Sequence, residues 1–197
     1  MIRYTLCILV LVLVAVVVQQ FLPALDPLNG SRILLVPLVF LCSAITLPTP
    51  LMLGLAFVCG FLTDAEATLG PHGGDPEIYT RPTEALRFGY SIVLYGVMGF
   101  IMQGIQPLFR QGRWQVSTLL TGVSVFLYLL TEYLLINFVR GGFTFSRGTL
   151  FKIVFTSGLT TLFSPLVFWL LFRLAEWSGY TIRFDGLKRG ASRARAV

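Results

Sequence analysis

Long apolar stretches cut by short polar joints dominate the chain, and between Ile8 and Val18 no polar residue occurs at all. A helix that crosses a bilayer needs about 20 mostly apolar residues. Cut on that length, the sequence predicts six spans: Tyr4 to Leu22, two within Ile33 to Leu62, Phe88 to Ile105, Trp114 to Val139, and Thr149 to Leu174. The second and third are separated by Leu47-Pro48-Thr49-Pro50. Proline lacks a backbone donor and restricts the residue before it, so no straight helix passes that point. Both halves are short, which leaves two compact spans or a re-entrant hairpin. Extended to full length from Thr49, the third span reaches about Thr68 and carries Asp64 and Glu66 to the outer headgroup level or inside it. Pro37 and Pro165 are expected to interrupt spans two and six.

Composition narrows the class. Of 197 residues 55% are hydrophobic and 12% charged, against about 25% charged in an ordinary soluble domain. The mean hydropathy is +0.80. A water-soluble enzyme, a disordered tail and a disulfide-stapled secreted domain are excluded, and an all-α polytopic transmembrane bundle of about six short spans is left. The first span, behind Arg3, is longer than a usual signal-peptide core and lacks a small-x-small cleavage pattern, so an uncleaved signal anchor is expected. Residues 1–180 then form a single helical membrane domain with an outer polar loop at 64–87, and residues 181–197 a basic cytoplasmic tail.

Charge sets the orientation. The 64–87 loop holds five acidic residues and two basic ones, net −3, but acidic residues carry little topological weight. With both termini inside, nine Lys and Arg fall on the cytoplasmic side and six outside. The net charge of +6 therefore points to a membrane surface rather than to nucleic acid. Lys188, Arg189, Arg193 and Arg195 face anionic headgroups, each adding about 1 kcal/mol of attraction. Trp114, Trp177 and Tyr180 fall at cytoplasmic span ends, as interfacial aromatics should.

Soluble-site chemistry is thin. His72 has no second ligand at metal spacing, and Cys7, Cys42 and Cys59 sit in apolar runs without a Cys-x-x-Cys. No metal, cofactor or catalytic set is expected. Asp64 and Glu66, two apart, stand about 200° apart on a helix and cannot act as a same-face pair.

The fifth span differs. Ser117, Thr121, Ser124, Tyr128, Thr131 and Glu132 fall within a sector of about 100° at 3.6 residues per turn. Lipid cannot satisfy these groups, so this face should turn toward other helices. Glu132 is the costliest, by roughly 2.5–3.5 kcal/mol on insertion scales. Lys152, just inside span six, is placed to snorkel toward that carboxylate and clamp the two helices; contact with a partner's membrane helix, or a substrate or proton site, are the other readings. Ala56 with Gly60, Gly96 with Gly99, and Thr118 with Gly122 provide small-residue seams for close packing.

The motif Gly60-Phe61-Leu62-Thr63-Asp64, then Leu69-Gly70, then Phe88-Gly89-Tyr90 opening a span, resembles the MreD family of bacterial rod-shape-determining membrane proteins over about Ile33 to Glu176. The family is similar in having a carboxylate where Glu132 stands. Residues 71–87 depart from the pattern as an insertion, and the basic tail is an extension. The resemblance implies a non-enzymatic scaffold in the inner membrane, without cofactor, in which Gly60, Asp64, Gly70, Ser124, Tyr128, Glu132 and Lys152 serve structure or partner contact. It implies as partners a single-span MreC-like protein and, indirectly, actin-like MreB and the transpeptidase and glycosyltransferase that build sidewall peptidoglycan. The fold of the family is reminiscent of the membrane subunits of energy-coupling-factor transporters. A small-molecule-binding transporter subunit is therefore the alternative, although the first span has one alanine, Ala15, in place of the four-residue alanine spacing of such subunits. An intramembrane enzyme using Asp64 with Arg87, Arg140 or Arg147 on a lipid-linked phosphate is a third.

Overall fold

The computed structural model describes residues 2–22, 31–69, 88–109, 114–140 and 147–180. Seven helices follow in order: α1 (Ile2–Phe21), α2 (Leu35–Thr46), α3 (Thr49–Leu69), α4 (Tyr90–Phe109), α5 (Trp114–Arg140), α6 (Arg147–Leu162) and α7 (Ser164–Trp177). No β-strand occurs among the described residues. The protein is an all-α helical bundle. Helices α1, α3, α4 and α5 are each long and apolar enough to cross a bilayer, and α6 with α7 make a fifth such segment over Gly148–Trp177. The architecture is that of a multi-pass membrane protein. Outward positions are as oily as inward ones, for example Val10, Leu13 and Val17 on α1 and Leu166 and Trp169 on α7, because lipid replaces water as the surrounding medium.

The short helix α2 is the hub. Every residue from Val36 to Thr46 is buried, and α1, α3, α4, α5, α6 and α7 all pack on it. It runs against α1: its first turn meets Gln19 near the end of α1, where Val36 N–H donates to Gln19 Oε1 at 3.1 Å. Its last residue meets Tyr4 near the start of α1, where Tyr4 Oη donates to Thr46 Oγ1 at 2.9 Å. The segment therefore runs antiparallel to α1, and α3 returns along the bundle to bring Glu66 to Gln20.

At 1.5 Å per residue, 12 residues reach only about 18 Å, short of the roughly 30 Å hydrocarbon layer. The orphan groups at both ends of α2 thus lie inside protein and need protein partners. They have them. Leu34 N–H donates to Thr160 Oγ1 of α6 at 3.2 Å. At the other end Gln106 Nε2 of α4 donates to Ile45 O at 2.5 Å, Gln103 Nε2 donates to Leu47 O at 3.2 Å, and Tyr180 Oη donates to Thr46 O at 3.3 Å.

Proline placement corrects one expectation. Pro37 lies in the first turn of α2 and Pro50 in that of α3, where a missing N–H costs no hydrogen bond, so Pro37 does not interrupt its span. Pro165, by contrast, begins α7 after a break at Phe163, and it divides the last span in two. Tyr4 and Tyr180 stack with ring centroids 4.6 Å apart, which brings the beginning of α1 and the segment after α7 to the same end of the bundle.

Candidate functional site

The site is built where α3, α4 and α5 meet. Helix α3 lies against α4 through Gly60: a β-carbon there would run into the backbone of Ile92, so only glycine permits this approach. One turn further along α3, Asp64 is 2% exposed. Its Oδ2 accepts the backbone N–H of Gly89 at 2.6 Å. Gly89 immediately precedes α4 and has φ of +99°, a backbone region that disfavours residues with a side chain. A carboxylate at a helix N-terminus satisfies an orphan donor and meets the positive end of the helix dipole. The residues Gly60, Asp64 and Gly89 thus make one joint: glycine for contact, carboxylate for the cap, glycine for the turn.

Beneath it lies an aromatic layer. Tyr95 of α4 is fully buried and Tyr128 of α5 is 2% exposed; their ring centroids are 5.3 Å apart. Thr63 Oγ1 lies 3.3 Å from Tyr95 Oη, and Phe40 of α2 meets Tyr95 edge-on at 4.9 Å. Glu132, one turn above Tyr128, is partly buried. No hydrogen bond or ion pair holds the Glu132 carboxylate among the described residues.

The polar stripe of α5 does face inward, since Thr121, Ser124 and Tyr128 are buried. Two of its hydroxyls bond within their own helix: Thr121 Oγ1 donates to Ser117 O at 2.9 Å and Ser124 Oγ to Leu120 O at 2.9 Å. The expected clamp between Glu132 and Lys152 is not formed. Gly122 against Thr161 sets the antiparallel register and puts residue 132 about level with 151. However, α6 turns Ile153, Thr156, Ser157 and Thr160 inward, and Lys152 stands about 100° from the middle of that stripe at 3.6 residues per turn, exposed. The level is right and the rotation is not.

Glu66 stays apart from Asp64 and accepts from Gln20 Nε2 at 3.4 Å. Gly70, the loop from there to Arg87, and the tail 181–197 lie outside the described residues. Three residues escaped the sequence reading: Tyr95, which receives the layer, and Gln103 and Gln106, which hold α2. Two amides three apart in an apolar run were the available signal for the last pair.

Beside the joint a cleft of about 460 Å³ opens between α4 and α5, lined by Phe88, Gly89, Val93, Val97, Thr131 and Leu135 among others. Its walls are almost wholly apolar. The described residues include no group of three or more His, Cys, Asp or Glu able to hold a metal ion. No family model matches the chain, and no curated protein or solved structure is significantly similar to it.

Proposed function

We propose that this protein is a non-enzymatic scaffold in the bacterial inner membrane, an MreD-like subunit of the machinery that elongates the sidewall of rod-shaped cells. What carries the reading is the joint: Gly60 and Asp64 come from one piece of the motif that resembles that family and Gly89 from another, and the two pieces meet in one contact with one chemical logic. Glu132, the carboxylate expected in the penultimate span, lies on α5 one turn above Tyr128. In this reading both termini are cytoplasmic, the basic tail rests on anionic headgroups, and the outer end of the bundle meets a single-span partner with an extracytoplasmic domain, through which the actin-like filament and the wall-building pair are engaged.

The test is extraction of tagged protein in mild detergent together with depletion in a rod-shaped host. Co-purification of an MreC-like protein and rounding of the depleted cells are expected; if neither occurs, the reading fails. The apolar cleft favours one second reading, a small-molecule-binding transporter subunit, since its volume falls in the range of ligand pockets, roughly 300–1,000 Å³. A ligand retained through purification, identified by mass spectrometry and lost from a Val97→Trp variant, would decide for it.

A further inference from the structure

We infer that the cleft between the start of α1 and the end of α7 binds one anionic phospholipid, whose phosphate meets the Arg3 guanidinium and whose acyl chain lies along the outer face of α1. This site lies apart from the α3–α4 joint and holds for a scaffold and a solute carrier alike.

The lining supplies the first observation. A cleft of about 410 Å³ is walled by Arg3, Leu6 and Cys7 of α1 and by Trp177 and Ser178 at the end of α7. Among the described residues this lining carries one formal charge, and it is positive. Glu176, next to Trp177 in the chain, has its carboxylate paired with Arg173 at 3.2 Å. A guanidinium matches a phosphate with parallel N–H donors, and basic pockets between transmembrane helices recognise anionic headgroups. Ser178 Oγ gives its proton to Ala175 O at 3.1 Å, so toward a ligand it can only accept, which suits a headgroup hydroxyl. Trp177 is exposed, and an indole at a span end sits at headgroup level.

Polarity along α1 supplies the second. Leu6 and Cys7 stand one turn deeper than Arg3, so the cleft is charged at its rim and apolar behind it. Arg3, Leu6, Val10, Val14 and Val17 share a sector about 80° wide at 3.6 residues per turn, and all five are exposed. From Arg3 to Val14 the rise is about 16 Å at 1.5 Å per residue, close to one leaflet of a hydrocarbon layer about 30 Å thick. A soluble anion would use only the rim, whereas a phospholipid uses the whole gradient.

The two walls are also fixed to each other. Tyr4, next to Arg3, is bonded to Thr46 and stacked on Tyr180. Helix α7 closes with Tyr180 N–H donating to Ala175 O at 2.9 Å around Gly179, whose φ is +63°, a helix-ending turn that glycine favours. That turn seats Tyr180 on Tyr4 two residues past Ser178. The cleft is therefore preformed, and a ligand need order little of the chain to occupy it.

The test is native mass spectrometry of the full-length protein in detergent, offered phosphatidylglycerol, phosphatidylcholine or inorganic phosphate. One phosphatidylglycerol should bind ahead of any others and raise the unfolding temperature, while phosphatidylcholine binds more weakly and inorganic phosphate does not displace it. Arg3→Gln should weaken binding about tenfold or more, and Arg3→Lys, which keeps the charge but loses the fork, by less. Leu6→Glu sets a carboxylate at the rim and leaves every basic residue in place; it should weaken binding as much as Arg3→Gln. Lys188→Gln combined with Arg189→Gln, in the basic tail, should leave the affinity unchanged. Equal affinity for phosphatidylcholine overturns the inference, and displacement by inorganic phosphate reassigns the cleft to a free anion and overturns it too. So does native affinity in Arg3→Gln or Leu6→Glu, or loss of binding in the tail variant.

Discussion

Two glycines and one carboxylate decide how α3 meets α4, and their substitution should separate three effects. At Gly60 an alanine methyl is driven into the backbone of Ile92, which cannot swing aside like a side chain. Overpacking of this kind costs about 1–3 kcal/mol, so Gly60→Ala should unfold earlier in a denaturing-detergent titration. Gly54→Ala is the matched control, since nothing lies within 4 Å of its β-carbon, and it should leave the midpoint unchanged or raise it. Asp64→Ala removes the cap on α4, and hydrogen bonds to charged groups are worth about 1.5–3 kcal/mol. Asp64→Asn keeps an oxygen in place and should recover a good part of the loss in the same titration; equal losses would mean that the Gly89 bond contributes nothing. The sequence displayed Asp64 and Gly89 as separate pieces of a sparse motif. It could not display that one holds the other, because that contact depends on how far α3 rotates against α4.

Helix boundaries were legible wherever a bilayer length and a proline coincided. The expected extension of span three from Thr49 to about Thr68 agrees with α3 at Thr49–Leu69, and the polar stripe of α5 faces the bundle as its periodicity required. Pro37 misled because proline has opposite meanings in the first turn and the interior of a helix, and the starting point of α2 cannot be fixed from an unbroken apolar run. Lys152 misled because hydropathy reports depth and not azimuth. The caps on α2 were beyond the sequence for a related reason: Gln103 and Gln106 lie more than fifty residues from the carbonyls they satisfy. Gln106→Leu should leave Ile45 O unpaired at membrane depth and lose about 1–3 kcal/mol, and Gln103→Leu a similar amount. The measurement is the unfolding midpoint of each variant and of the double, which should fall further than either single.

On the scale of the whole molecule, α2 is enclosed by the other six helices of the described residues, and that enclosure explains where reactive groups sit. Cys42 and Cys59 are buried while Cys7 is partly exposed. In the folded protein in detergent, a maleimide should leave Cys42 and Cys59 unmodified, and after denaturation in SDS all three thiols should react; mass spectrometry of the labelled chain counts them. The stacked pair Tyr4 and Tyr180 leads to a second expectation: cysteines at these two positions should be joined by a short bifunctional crosslinker within one chain, giving a faster-migrating species on a gel.

The enclosure of α2 also constrains how the chain is made. A segment of 12 residues is too short to leave the translocon as a free-standing span, because its end groups would enter the lipid bare. The donors that complete it arrive much later in synthesis: Gln103 and Gln106 about sixty residues after Ile45, and the acceptor Thr160 more than a hundred after Leu34. During biogenesis α2 therefore waits, sheltered beside α1 or by an insertase, until α4 and then α6 emerge. A chain truncated before residue 100 should remain accessible to protease in the α2 region, whereas the completed chain is protected there.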